Sequence, residues 1–206
     1  MYCPAHFAES RPEMLHALMR EHPLATLVTM VEAGLNADHV PLILETAADG
    51  SAVLRGHVAR ANPMWKTVRT DLEALAIFHG PEAYITPSWY PSKREHGKAV
   101  PTWNYAVVHA RGPLRIIHDA DWLRTQVESL TQRQESAFAE PWAVSDAPAD
   151  YIEKMLAAIV GIEITITSLE GKWKASQNQS EGNRAGVAAG LGELGKTDSA
   201  ALIRPG

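Results

Sequence analysis

The chain has one cysteine in 206 residues and no uninterrupted apolar run of about eighteen residues. A single thiol, Cys3, makes no internal disulfide and no zinc site by itself, so a reducing, cytoplasmic setting is expected. Without a long apolar run nothing is expected to span a membrane. The opening Met1-Tyr2-Cys3-Pro4 supplies neither the basic nor the apolar part of a secretory signal. Excess positive charge is also missing. The net charge is -5, whereas a broad phosphate-binding face needs clustered Lys and Arg. The richest basic stretch, Lys93-Arg94-Glu95-His96-Gly97-Lys98, is short and reads as a solvated loop.

Several catalytic patterns are absent too. There is no Gly-x-Gly-x-x-Gly and no Walker loop, which argues against a Rossmann or P-loop nucleotide site. Nine histidines invite a metal, but none stands in His-x-x-x-His spacing, so no metal site is expected. No Gly-x-Ser-x-Gly elbow offers a serine nucleophile, and Cys3 has no activating base beside it. No catalytic residue is assigned.

What is present is an ordinary globular balance, 46% hydrophobic and 21% charged, enough for one well-filled core. The expected organisation is one domain over residues 1–192 and a weakly ordered tail over residues 193–206. A helix is predicted over residues 12–21, capped by Ser10, with Pro12 in its first turn. Strands follow at 24–31, 35–44 and 52–58, with Ala48-Asp49-Gly50-Ser51 as the turn between the last two. A short helix follows Asn62-Pro63, and apolar strands are expected at 74–78 and from 83. Residues 103–117 read as a long strand with a bulge or bend at Gly112-Pro113. A helix capped by Asp119 or Asp121 comes next, then a helix over 150–159. Alternating Ile162, Ile164 and Ile166 mark a half-buried strand, and a Gly/Ala-rich helix or turn is expected over 180–191. Strand follows strand through short turns, so the fold class is mainly β with helices (α+β), an antiparallel barrel with peripheral helices.

Four segments carry more polar and aromatic chemistry than folding alone requires. In Asn36-Ala37-Asp38-His39-Val40-Pro41, the proline confines the strand to an edge, a bulge or a ligand-facing backbone, with a hydrogen-bonded His39 in an ordinary edge strand as the plain alternative. Around His57, Arg60, Asn62 and Lys66 a strand runs into a helix N-terminus, where an anion is favoured. Arg60 adds a forked donor and Lys66 a point charge, while Asn62 also suits a helix cap. The run over residues 84–105 holds Trp89, Thr102, Trp103 and Asn104 beside Tyr84, Tyr90 and Tyr105. Rings next to hydroxyl and amide groups suit a flat heterocycle, although a core or an interface uses the same residues. Lys174, Gln177 and Asn178 are placed to meet a polar ligand edge, or else simply form a solvated strand exit.

Taken together, Pro87-Ser88-Trp89-Tyr90, Val100-Pro101-Thr102-Trp103-Asn104-Tyr105 and Lys174-Ala175-Ser176-Gln177-Asn178 resemble the PaiB-like FMN-binding negative transcriptional regulators. The match runs from Met1-Tyr2, Pro4 and Phe7 to Leu191. The resemblance implies an FMN-binding split β-barrel related to pyridoxamine-phosphate oxidase and flavin reductases. It also implies a homodimer with FMN in the groove between subunits. Carried over, residues 60–66 correspond to the phosphate end, and Asp38-His39-Val40-Pro41 to the strand beside the isoalloxazine ring. Trp103, Asn104, Lys174 and Gln177 would close the site, from the second subunit if the groove is shared. Two other readings stand beside this one. The first is an FMN-dependent oxidoreductase with a nicotinamide donor, or a haem variant using His57, His96 or His109. The second is a direct DNA-binding repressor, for which no helix-turn-helix with a basic second helix is present.

Overall fold

The structure is a computed structural model and describes residues 1–203. After the two-residue strand β1 (Ala8–Glu9), Pro12 opens α1 (Pro12–Glu21), whose buried face is Leu15, Leu18 and Met19. Because proline takes the first helical position, Arg11 rather than Ser10 stands at the cap, and no side chain closes that end. β2 (Leu24–Val31) and β3 (Gly34–Pro41) form a hairpin in register from Leu24↔Pro41 to Val31↔Gly34. The strand expected over residues 35–44 is two strands. β3 stops at Pro41, which has no N–H to donate, and β4 (Ile43–Thr46) pairs instead with β5 (Ala52–Ala59). In the turn between these two, the Asp49 carboxylate accepts from the Ser51 N–H and hydroxyl at 2.9 and 2.7 Å.

The helix after Asn62-Pro63 is a single turn, α2 (Met64–Thr67). The two apolar stretches at 74–78 and 83–85 belong to one strand, β6 (Glu73–Ile85). The aromatic loop contains a short helix, α3 (Pro91–His96), before β7 (Thr102–Ile117). Asp119 caps α4 (Ala120–Glu135), accepting from the Trp122 N–H at 2.7 Å, and α5 (Ala149–Ala157) leads into β8 (Ile159–Thr165). β9 (Ser168–Lys174), α6 (Glu181–Glu193) and α7 (Thr197–Ala201) complete the described chain. β9 escaped the sequence reading because Glu170, Gly171 and Lys172 break its apolar alternation. α7 lies in the expected weakly ordered tail, where buried Ser199 donates to the Glu82 carbonyl at 3.0 Å.

Gly112-Pro113 does not interrupt β7 and inserts no bulge. Leu114 pairs with Ile164, and the Arg111 carbonyl accepts from the Thr167 N–H in the same register. The glycine answers to packing: a Cβ there would lie 1.8 Å from the Thr165 carbonyl oxygen. β8 is also more buried than its alternation suggests. Glu163, 5% exposed, lies between Arg55 and Arg115, its two cross-strand neighbours, which donate to it at 2.8 and 2.9 Å.

Contacts gather the chain into two compact units, and β6 and β7 each contribute to both. One unit comprises residues 1–22, 78–109 and those from 170 on. In it β1 pairs antiparallel with β9, and Ala83, Ile85 and Tyr90 pack with Val187 and Leu191 of α6. The other unit comprises residues 23–77 and 110–169. It holds the antiparallel runs β3-β2-β6 and β4-β5-β8-β7, together with a helical cluster of Leu123, Val144, Ile152 and Leu156.

Candidate functional site

The candidate residues fall into one group in each unit. In the unit built on residues 23–77 and 110–169, β3 is an edge strand, one of the positions open to a strand holding Pro41. His39 is exposed on it, with Nδ1 3.2 Å from the Thr26 hydroxyl across the hairpin. Half-buried Asp38 accepts from Asn36 at 2.6 Å and from Asn62 at 2.8 Å. Asn62 Oδ1 in turn accepts from the Met64 N–H at 2.9 Å, so this amide ties the start of α2 to β3. His57 on β5 meets Gln126 of α4, with 2.7 Å between Nδ1 and Oε1. Gln126 is buried, and its Nε2 has no partner among the described residues.

Arg60 does two things at once. Its guanidinium donates to the carbonyls of Ala157 and Ile159 at 2.7 and 2.8 Å, closing the C-terminal end of α5. Its own carbonyl accepts from the Trp65 indole at 3.0 Å. Trp65 also carries the Lys66 ammonium 5.1 Å from its ring centre and meets His118 edge-on at 5.3 Å. Trp65 thus joins Arg60 and Lys66, and among the described residues neither cation has a carboxylate partner. The helix-terminus argument is weaker than the sequence suggested. α2 is one turn long, and Asn62 already accepts from its Met64 N–H.

In the unit that contains residues 78–109, the start of β7 is knitted to the end of β9. The Lys174 ammonium donates to the Thr102 hydroxyl and the Trp103 carbonyl, both at 2.5 Å. Burial, and then the charge of Lys172, push its pKa below the usual lysine value. Asn104, 1% exposed, donates to Ser176 at 3.0 Å, and Ser176 holds a left-handed φ of +63°. Gln177 accepts from the Ala175 N–H at 2.7 Å and donates to the Trp173 carbonyl. Thr102, Trp103, Asn104, Lys174 and Gln177 are therefore brought together, largely by bonds to their own backbone and to one another.

The aromatic run divides into two parts. Tyr90 is buried in the α6 core, and Trp89 packs against it. A Cβ added at Gly190 of α6 would fall 2.2 Å from the Trp89 ring. Tyr84 and Trp103, on β6 and β7, are 48% and 52% exposed and stack edge-to-face at 5.9 Å. Tyr84 joins the candidate residues through this contact, and its place at the head of the 84–105 run is its signal in the sequence. Of the histidines considered for haem, His57 faces Gln126, and the side chain of His96 lies outside the described residues. Among the described residues no cluster of three or more His, Cys, Asp or Glu could hold a metal ion. Nor is any described helix long and apolar enough to cross a membrane.

Solved structures share this architecture. The flavocytochrome Anf3 of Azotobacter vinelandii superposes with a TM-score of 0.57 at 13% identity, over 81% of this chain and 69% of that one. The FAD and haem binding protein of Mycobacterium smegmatis gives a TM-score of 0.57 at 18% identity, over 81% and 73%. The fold is that of the FMN- and FAD-binding split-barrel flavoproteins. Sequence narrows the class. Residues 1–168 match the family described as "Putative FMN-binding domain", and the chain belongs to that family. It is 32% identical to the protease synthase and sporulation protein PAI 2 of Bacillus subtilis over 88% of this chain and 84% of that protein. It is 38% identical to an uncharacterised protein of Emericella nidulans, over 98% and 94%. The membership is the PaiB-like one that the motifs implied, and the cofactor is FMN.

The residues fit that group. Arg60 and Lys66 both touch Trp65 and neither is in an ion pair among the described residues, which suits a phosphate monoester. Tyr84 and Trp103 present exposed rings of the kind a flat heterocycle packs against.

Proposed function

We propose that two copies of this chain hold FMN between them, and that the flavin-bearing dimer acts as a cytoplasmic negative regulator of the PAI 2 type. The observation that carries the reading is the Arg60-Trp65-Lys66 arrangement, two cations in contact with one indole residue and neither in an ion pair among the described residues. Arg60 would direct its remaining guanidinium N–H groups, and Lys66 its ammonium, to the phosphate. His39, with Asp38 and Asn62 fixing its strand, would lie along the ring system, and His57 would support that side from β5. Trp103, with Thr102, Asn104, Lys174 and Gln177, would close the site from the second copy, with Trp89 holding that wall to α6. When bound, a flavin supplies hydride chemistry itself, so these side chains need only bind, orient and exclude water.

A visible absorption spectrum and FMN fluorescence quenching test the binding. Arg60→Ala and Lys66→Ala are each expected to weaken FMN by about tenfold, one lost charge-assisted bond, and riboflavin much less. Arg60→Ala also opens the end of α5, so exposed Lys66 gives the cleaner comparison. Equal losses for FMN and riboflavin in Lys66→Ala would remove the phosphate assignment. For the regulatory step, the acidic chain favours an indirect effect through a protein partner over direct DNA contact. Retention of a promoter fragment by the purified protein, with a steep salt dependence, would reverse that preference.

A further inference from the structure

We propose a second, anion-specific small-molecule site beside the end of β9, independent of the flavin residues Arg60 and Lys66. A cavity of about 470 Å³ lies here, within the range usual for small-ligand pockets. Its wall includes Glu9, Ser10, Arg11, Trp173, Arg184 and Leu202. The two arginines differ in state. Arg11 is clamped by Glu9, Nε to Oε1 at 2.8 Å and Nη2 to Oε2 at 2.5 Å. Arg184 of α6 is half-buried, and among the described residues its guanidinium has no carboxylate or other partner.

A partly desolvated guanidinium without a counter-charge is costly, and an oxyanion bound through its planar fork relieves that cost. Other donors stand on the same wall. The Ser10 hydroxyl has no partner among the described residues, and the Gln177 amide, which the proposed flavin site also uses, borders the same wall. Trp173, Ala175 and Leu202 add apolar surface. This combination recognises a small organic oxyanion, a carboxylate or a phosphate monoester, that carries an apolar body. The one carboxylate on this wall, Glu9, is taken up by Arg11, whereas the cavity of about 410 Å³ at Arg60 and Arg124 carries two, Asp121 and Glu153.

Calorimetric titration of the intact protein with phenyl phosphate, benzoate and neutral benzyl alcohol tests the site. At least one anion is expected to bind about tenfold more tightly than the alcohol, and Arg184→Gln to abolish that preference. The better of the two anions identifies the head group. Ser10→Ala, an exposed and mild change, is expected to weaken the same anion and serves if Arg184→Gln does not fold. FMN affinity should be unchanged in Arg184→Gln, and the anion should still bind to Lys66→Ala. No anion binding up to about 10 mM, equal affinity for the alcohol, or an Arg184→Gln protein that binds like the parent overturns the proposal. A parallel loss of FMN in Arg184→Gln would also overturn it, by assigning Arg184 to the flavin site.

Discussion

Arg60 and Asn62 show how much a single side chain's role depends on what it already holds. By residue type Arg60 is a phosphate ligand, yet two of its donors already bind carbonyls at the end of α5 and the start of β8. Asn62 resolves toward its plainer reading, an amide clipping a helix start to Asp38. His16 supplies a test of charge at this scale. It is partly buried on α1, and that burial, with Arg20 one turn away, lowers its pKa from 6.5. The folded state therefore resists a proton that the unfolded state accepts, and stability rises with pH where the unfolded state binds more protons. This contribution is fully present above the unfolded value and is lost as pH falls through the folded one. Melting curves between about pH 7.5 and pH 5 should show the parent losing more stability than His16→Gln. Equal losses would exclude the mechanism.

At the scale of elements, α6 decides what the aromatic loop is for. Asn183 of α6 donates to Ser92 at 2.9 Å, and Gly190 sits beneath the Trp89 ring. Trp89 and Tyr90 thus belong to a helix-to-loop core, while Tyr84 and Trp103 are left exposed. Gly190→Ala would drive a methyl into that indole, at an expected cost of about 1–3 kcal/mol measured by denaturant unfolding. Gly192→Ala, on the same helix with nothing within 4 Å, should be neutral or slightly stabilising. If both variants behaved alike, Trp89 would not be packed there. The strand readings failed where a local rule met a tertiary one. Gly112-Pro113 suggested a bulge or bend; the register runs through without a bulge, and the glycine answers to the Thr165 carbonyl, a neighbour more than fifty residues away. Glu163 looked solvated by alternation and is covered by two cross-strand arginines.

For the whole molecule the question is assembly. The candidate residues divide between two units, and the proposed flavin site draws on both sets through a second copy. Light scattering is expected to give twice the chain mass, with about one FMN per chain, and dilution below the dimer constant should release flavin. A monomer that retains FMN through dilution would sink the shared-site reading and leave family membership intact.

The sequence by itself determined the antiparallel β architecture and the FMN-binding family. Turn chemistry, strand alternation and the Pro87-Ser88-Trp89-Tyr90 and Thr102-Trp103-Asn104 motifs are local patterns, legible without neighbours. Tertiary structure alone decided which of those residues remain available. It placed Trp89 against α6, bound Asn104 to Ser176 and Asn62 to Asp38, and left Arg184 at a cavity without a partner. A side chain's availability depends on the groups that fold against it. Those groups lie up to a hundred residues away and leave no mark in the surrounding sequence.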